Sequence, residues 1–208
     1  MAGIERLSID DQSSNRELYD LLNREGYYDG WLPEIQRANF EVLATIGDRS
    51  GFPLKGASCL DVGCGTGELA GFLQDRGIGN YLGIDLVSSS IELARQRHRD
   101  MPFRQGDVLV EPKDETFDFV FCSGAMTLKF DSGNYEYMKK MIARMLELAK
   151  RGIAFNYIAD SAHVDTSYCF VFDRKKVRKI CDSLGVGKRM DLATMPNGAI
   201  QDTVFIRK

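Results

Sequence analysis

Residues 57–70 read Ala-Ser-Cys-Leu-Asp-Val-Gly-Cys-Gly-Thr-Gly-Glu-Leu-Ala, and this stretch decides the fold. Ser58 to Val62 is a short apolar run carrying an acid, the pattern of a buried parallel strand. Gly63, Gly65 and Gly67 then alternate through a tight turn. Glu68, Leu69, Ala70, Phe72 and Leu73 open a helix. Strand, glycine turn and helix form a nucleotide-cofactor layout. Glycine reaches positive φ and lets a ligand lie against bare backbone. The helix start adds unpaired N–H groups. An ordinary strand-to-helix turn carries the same glycines, so the turn alone does not decide between the two.

Two later stretches do. Tyr81-Leu-Gly-Ile-Asp85-Leu86 is a second apolar strand ending in an acid, about 20 residues past the glycines, the place for a ribose-binding carboxylate. Phe103-Arg-Gln-Gly-Asp107-Val108 ends a third in the same way. Three carboxylates thus fall at the C-terminal edge of an open α/β sheet, where ligands bind.

With these residues the sequence resembles the class I S-adenosylmethionine-dependent methyltransferases. Asp61 to Gly67 fits their acid and G-x-G-x-G motif, Asp85 their ribose acid, and Gly106-Asp107-Val108 their adenine-side step. A dehydrogenase fingerprint fits less well, because Gly65 and Gly67 are separated by Thr66 alone. The resemblance covers residues 57–158 and implies a Rossmann-like doubly wound α/β sheet. Its seven strands would run 3-2-1-4-5-7-6 with the last strand antiparallel. It implies S-adenosylmethionine as cofactor. Cofactor contacts would come from Asp61, Gly63, Cys64, Gly65, Gly67, Asp85, Leu86, Asp107, Val108, Ser123 and Met126.

The chain has 208 residues and a formal net charge of −3, which suits one domain and shows no overall footprint for nucleic acid. Five cysteines form no C-x-x-C pair and only two histidines are present, which argues against a metal site. The odd cysteine count, the absence of an apolar leader and the absence of a membrane-length apolar run predict a cytoplasmic protein. Its partner is predicted to be a small-molecule acceptor, with no nucleic acid and no membrane. Oligomeric state is not legible.

Around the core, Glu17 to Leu22 reads as a short helix, and Pro33 begins another through Phe40, Leu43 and Ile46. Between them lie Tyr27, Tyr28 and Trp31, bracketed by glycines. They either glue a helical cap (residues 1–50) to the core (57–208) or form a lid, in which Tyr28 and Trp31 touch the cofactor. Ser88 or Ser89 is placed to cap the next helix. His98, among arginines near that helix's end, reads as a solvated face. Asn134 to Lys150 is a helix with a methionine stripe facing the core. Asp173 caps a basic helix, and two closing strands flank Pro196-Asn197-Gly198.

The fourth strand, Phe117 to Cys122, lacks the Asn/Asp-Pro-Pro-Tyr stretch of many nucleobase and glutamine methyltransferases. The acidic pairs of catechol-type, metal-dependent enzymes are missing too. The reading is methyl transfer to an O or N nucleophile of a small molecule. An RNA or protein methyltransferase and a catalytically silent cofactor-binding protein remain as alternatives. For the acceptor, Asn156 and Tyr157 at the fifth strand's end are candidates to orient it. His163 on the following loop is either the base or an ordinary surface histidine.

Overall fold

The computed structural model describes residues 17, 20–21, 33–110, 115–130, 132–159, 166, 169–194 and 201–208. Every residue of β1 (Cys59–Val62) is buried, as a central parallel strand requires. β2 (Tyr81–Asp85) and β4 (Phe117–Cys122) flank it in parallel, with Asp61 opposite Gly83 on one side and Phe121 on the other. β3 (Phe103–Gln105) pairs with β2 at one edge, and β5 (Ala149–Ile158) pairs with β4. β6 (Met190–Thr194) and β5 both pair antiparallel with β7 (Gln201–Arg207). The order is β3-β2-β1-β4-β5-β7-β6, as the resemblance implies. The turn at Pro196 to Gly198 lies outside the described residues.

Alternation along the strands divides the interior into two layers. Phe119, Phe121, Ala154 and Phe205 face α1 (Pro33–Ala44), α2 (Ile46–Ser50), α3 (Glu68–Gln74) and α4 (Ser88–Arg97). Val120, Cys122, Ile153, Phe155, Tyr157 and Val204 face α5 (Asn134–Leu148) and α6 (Arg174–Ser183). The methionines of α5, Met138, Met141 and Met145, are buried in that second layer. Each fully buried Phe or Leu contributes about 1.5–3 kcal/mol, so this two-sided burial holds the sheet edges in register.

Three element boundaries differ from the sequence reading. The first helix breaks at Thr45, whose hydroxyl donates to Val42 O at 2.8 Å, and restarts as α2. That competing bond ends the backbone ladder. α5 stops at Leu148, because Ala149 already belongs to β5. α4 is not capped by Ser88 or Ser89: its N-cap is Val87, with no side-chain cap bond. The Val87 N–H donates instead to Asp85 Oδ1 at 2.9 Å. Asp173 does cap α6, accepting from the Lys176 N–H at 2.9 Å.

Candidate active site

The turn after β1 is built on three left-handed glycines, Gly63 (φ 69°), Gly65 (φ 54°) and Gly67 (φ 91°), a conformation that strains any other residue. The N–H groups of Gly63 and Cys64 both reach Ile84 O, at 2.8 and 3.1 Å, which ties the turn to β2. A Cβ on Gly63 would stand 2.3 Å from Ala125 Cβ, so the bare backbone lets the loop after β4 close over the turn. Gly67 has a different task from the one the sequence suggested. It does not line the cleft; a Cβ there would sit 2.8 Å from His98 Cδ2. Gly67 therefore lets α3 pack on α4, and the His98 ring is wedged between α3 and Phe103 (6.2 Å between centroids) instead of lying on a solvated face.

The cleft opens where β1, β2 and β4 end. Gly63, Cys64, Gly65, Asp85, Leu86, Asp107, Val108 and Ser123 all line it, as does Asp61. Asp85 Oδ2 accepts from the Gly65 N–H and Oδ1 from the Val87 N–H, each at 2.9 Å, so one carboxylate joins the glycine turn to the start of α4. Burial raises the Asp85 pKa above the ordinary carboxylate value, against those backbone donors. Asp107 Oδ1 accepts from the Leu109 N–H at 2.9 Å, and the buried Arg144 of α5 donates to Val108 O at 2.7 Å. The Asp107–Val108 step is thus held from both sides. Burial pushes Asp61 up to about 7, with the Tyr81 hydroxyl donating to its Oδ2 at 2.9 Å. It likewise raises the thiols of Cys59 and Cys122 to about 12, which leaves them protonated and unreactive.

Beyond β4, Asn156 is buried behind the cleft wall. Its Oδ1 accepts from the Gly124 N–H at 2.8 Å and its Nδ2 donates to Ser123 Oγ at 3.2 Å. It holds the wall without lining it, so its place corrects the expectation of direct acceptor contact. Tyr157 points the other way, as alternation along β5 dictates. Its hydroxyl donates to Asp202 Oδ2 at 3.2 Å, and Arg174 pairs with the same carboxylate. An acceptor-orienting role for Tyr157 is therefore corrected to a structural one. Met126 is also core, buried and absent from the lining. His163, Tyr27, Tyr28 and Trp31 lie outside the described residues.

Several lining residues escaped the sequence reading. Gln36, Asn39 and Phe40 of α1 face the cleft, with Glu68, Leu128, Tyr137 and Gln201. The available signal was Asn39, a polar residue on the same face as Phe40 and Leu43. Outside the lining, Asp20 accepts from Ser89 Oγ at 2.6 Å.

Residues 59–152, the segment that carries the glycine turn and the three carboxylates, match the family model of a methyltransferase domain. These residues carry a methyltransferase domain, set in the seven-strand order of the sheet. Among solved structures, this methyltransferase is similar to magnesium protoporphyrin IX methyltransferase from Synechocystis PCC 6803, crystallised with bound S-adenosylhomocysteine. That match has a TM-score of 0.72 and 16% identity, over 95% of this chain and 100% of the other. A second is the 1,6-didemethyltoxoflavin-N1-methyltransferase of Burkholderia thailandensis, with TM-score 0.70, 15% identity and coverage of 100% and 93%. A third is the [4+2]-cyclase SpnF, with TM-score 0.69, 15% identity and coverage of 97% of each chain. At such identities the likeness concerns the fold. No curated protein matches the methyltransferase sequence.

Proposed function

We propose that the protein transfers the methyl group of S-adenosylmethionine to an oxygen or nitrogen nucleophile of a small molecule. The observation that carries the reading is the convergence of Asp61, Asp85 and Asp107 with the left-handed glycine turn on one cleft. This donor set fits the cofactor. Asp85 is a buried carboxylate for the ribose hydroxyls, Asp107 and the Val108 N–H serve the adenine edge, and Gly63 to Gly65 offer bare backbone to the amino-acid end. When bound, the cofactor supplies an electrophilic sulfonium methyl.

The protein's own work is alignment. Asn156 fixes Ser123 and Gly124, and Ala125 closes on Gly63, so the wall beside the reacting centre is rigid. Holding a nucleophile at near-attack distance supplies about 7–11 kcal/mol in favourable cases. α1 covers the cleft with Gln36, Asn39 and Phe40, and we assign the N-terminal segment that carries Tyr28 and Trp31 to the lid. His163 follows β5 in sequence and is our candidate base for an acceptor that starts protonated.

Methyl-labelled S-adenosylmethionine, incubated with the protein and separate metabolite, RNA and protein fractions, tests the reading. Label should enter the metabolite fraction and S-adenosylhomocysteine should accumulate. Label in RNA or protein instead would replace the small-molecule acceptor. Binding without turnover in any fraction would leave a silent cofactor-binding protein, or one using its fold for other chemistry as the similar cyclase does.

A further inference from the structure

Two buried side-chain oxygens on the cleft have no hydrogen-bond partner. They are Asn39 Oδ1 on α1 and Gln201 Oε1 at the start of β7. Asn39 is only 4% exposed and Gln201 2%. Buried polar atoms are almost always paired, because an unmade bond forfeits the group's hydration for nothing. Two such acceptors on one cleft are groups held open for a ligand.

Their place separates them from the cofactor groups. Asp61, Asp85 and Asp107 belong to β1, β2 and the step after β3. Gln201 opposes Ile158 on β5, on the far side of β4, and α1 packs across β5 and β7. The pair therefore stands at the acceptor end of the cleft. The lining also sets the ligand's charge. Asp61, Glu68, Asp85 and Asp107 line the cleft, and no Lys, Arg or His does so among the described residues. An anionic acceptor would therefore find no counter-charge beside Asn39 and Gln201, where a neutral N–H or O–H donor meets two amide oxygens.

We propose that Asn39 and Gln201 form the recognition subsite for the methyl acceptor, and that the acceptor is a non-anionic small molecule presenting at least two N–H or O–H donors. The inference rests on the methyl-transfer reading above. Each amide oxygen accepts one donor, so the nucleophile is oriented without being charged.

The test uses the full chain saturated with S-adenosylhomocysteine and three matched probes: benzamide, N,N-dimethylbenzamide and benzoate. Saturation-transfer NMR should detect benzamide binding, with the dimethyl compound and benzoate at least several-fold weaker. The Asn39→Leu/Gln201→Met double variant should lose about tenfold in benzamide affinity. Each single variant should raise the Tm of the ligand-free protein by roughly 2–4 °C, because an unpaired buried acceptor is removed. Calorimetry should show S-adenosylhomocysteine affinity within about twofold of wild type. Equal binding of the three probes, binding of none, or unchanged benzamide binding in the double variant overturns the proposal. So does a large loss of S-adenosylhomocysteine affinity in Gln201→Met, which assigns that amide to the cofactor. A wild-type protein that fails to bind S-adenosylhomocysteine removes the methyl-transfer reading itself, and is told apart by that measurement alone.

Discussion

The Tyr81 hydroxyl donates a 2.9 Å hydrogen bond to Asp61 Oδ2, and both side chains are buried between β1 and β2. Burial is the larger influence and lifts Asp61 from 3.8 to about 7. A carboxyl with a raised folded-state pKa binds more protons folded than unfolded. Its contribution is fully present below about pH 4 and is lost as pH rises through about 7. The difference corresponds to on the order of 4 kcal/mol at most. Asp61→Asn removes the titration while leaving an oxygen for Tyr81. Its Tm should therefore gain more over wild type at pH 8 than at pH 5. Equal gains at both pH values, in melts followed by circular dichroism, would contradict a buried titrating Asp61.

Asp85 links two backbone donors and faces the cleft. Asp85→Ala deletes the carboxylate proposed for the ribose hydroxyls and frees the Gly65 and Val87 N–H groups together. A hydrogen bond to a charged group is worth about 1.5–3 kcal/mol, so S-adenosylmethionine affinity should fall on the order of tenfold or more. Isothermal calorimetry gives the number directly. An unchanged Kd would remove Asp85 from the ribose site.

Asn156 and Tyr157 are neighbours in sequence with opposite tasks. Tyr157→Phe should cost about 1 kcal/mol of stability and leave KM and kcat for the acceptor unchanged, because its hydroxyl meets Asp202, which also pairs with Arg174, on the far face. Asn156→Ala leaves the Gly124 N–H unpaired and loosens Ser123. It should cost about 1–3 kcal/mol and lower kcat more than it raises KM. Denaturant melts and steady-state kinetics of the two variants, run side by side, separate the roles. A raised KM in Tyr157→Phe would restore its contact with the acceptor.

That the glycine turn and the strand-end acids meet on one cleft was legible because the pattern is local in sequence. An acid, alternating glycines and two further strand-end acids are each fixed by a turn that the residues themselves dictate. Asn156 and Tyr157 were misjudged for the opposite reason. Both sit near the end of β5, and only strand register and packing tell that Asn156 stands behind the cleft wall while Tyr157 turns to the opposite face. Gln201 was invisible because β7 reaches the ligand edge by an antiparallel return, pairing residue 201 with residue 158. Gly67 and His98 were misread because their contact spans two helices, 31 residues apart, that only the packed sheet brings together. Sequence spacing carries turns; it does not carry which helix leans on which.

Asp20 accepts a hydrogen bond from Ser89 Oγ at 2.6 Å. Ser89 lies in the first turn of α4, directly after the Asp85–Val87 link, so Asp20 is tied to the helix start next to Asp85. α1 lines the cleft with Gln36, Asn39 and Phe40, and we propose the residues before it as the cap. If this cap closes the site, Ser89→Ala should loosen it without touching the cleft lining. S-adenosylhomocysteine release should then quicken by about 2–10-fold, the worth of one hydrogen bond of 0.5–1.5 kcal/mol, with little change in Tm. Deletion of residues 1–31 should go further, abolishing turnover while the sheet stays folded, because the core strands keep both of their covering layers. Stopped-flow displacement of S-adenosylhomocysteine measures the first effect, and a labelled-methyl assay with circular dichroism the second. A truncated protein with full turnover and a wild-type release rate would reduce the segment to packing.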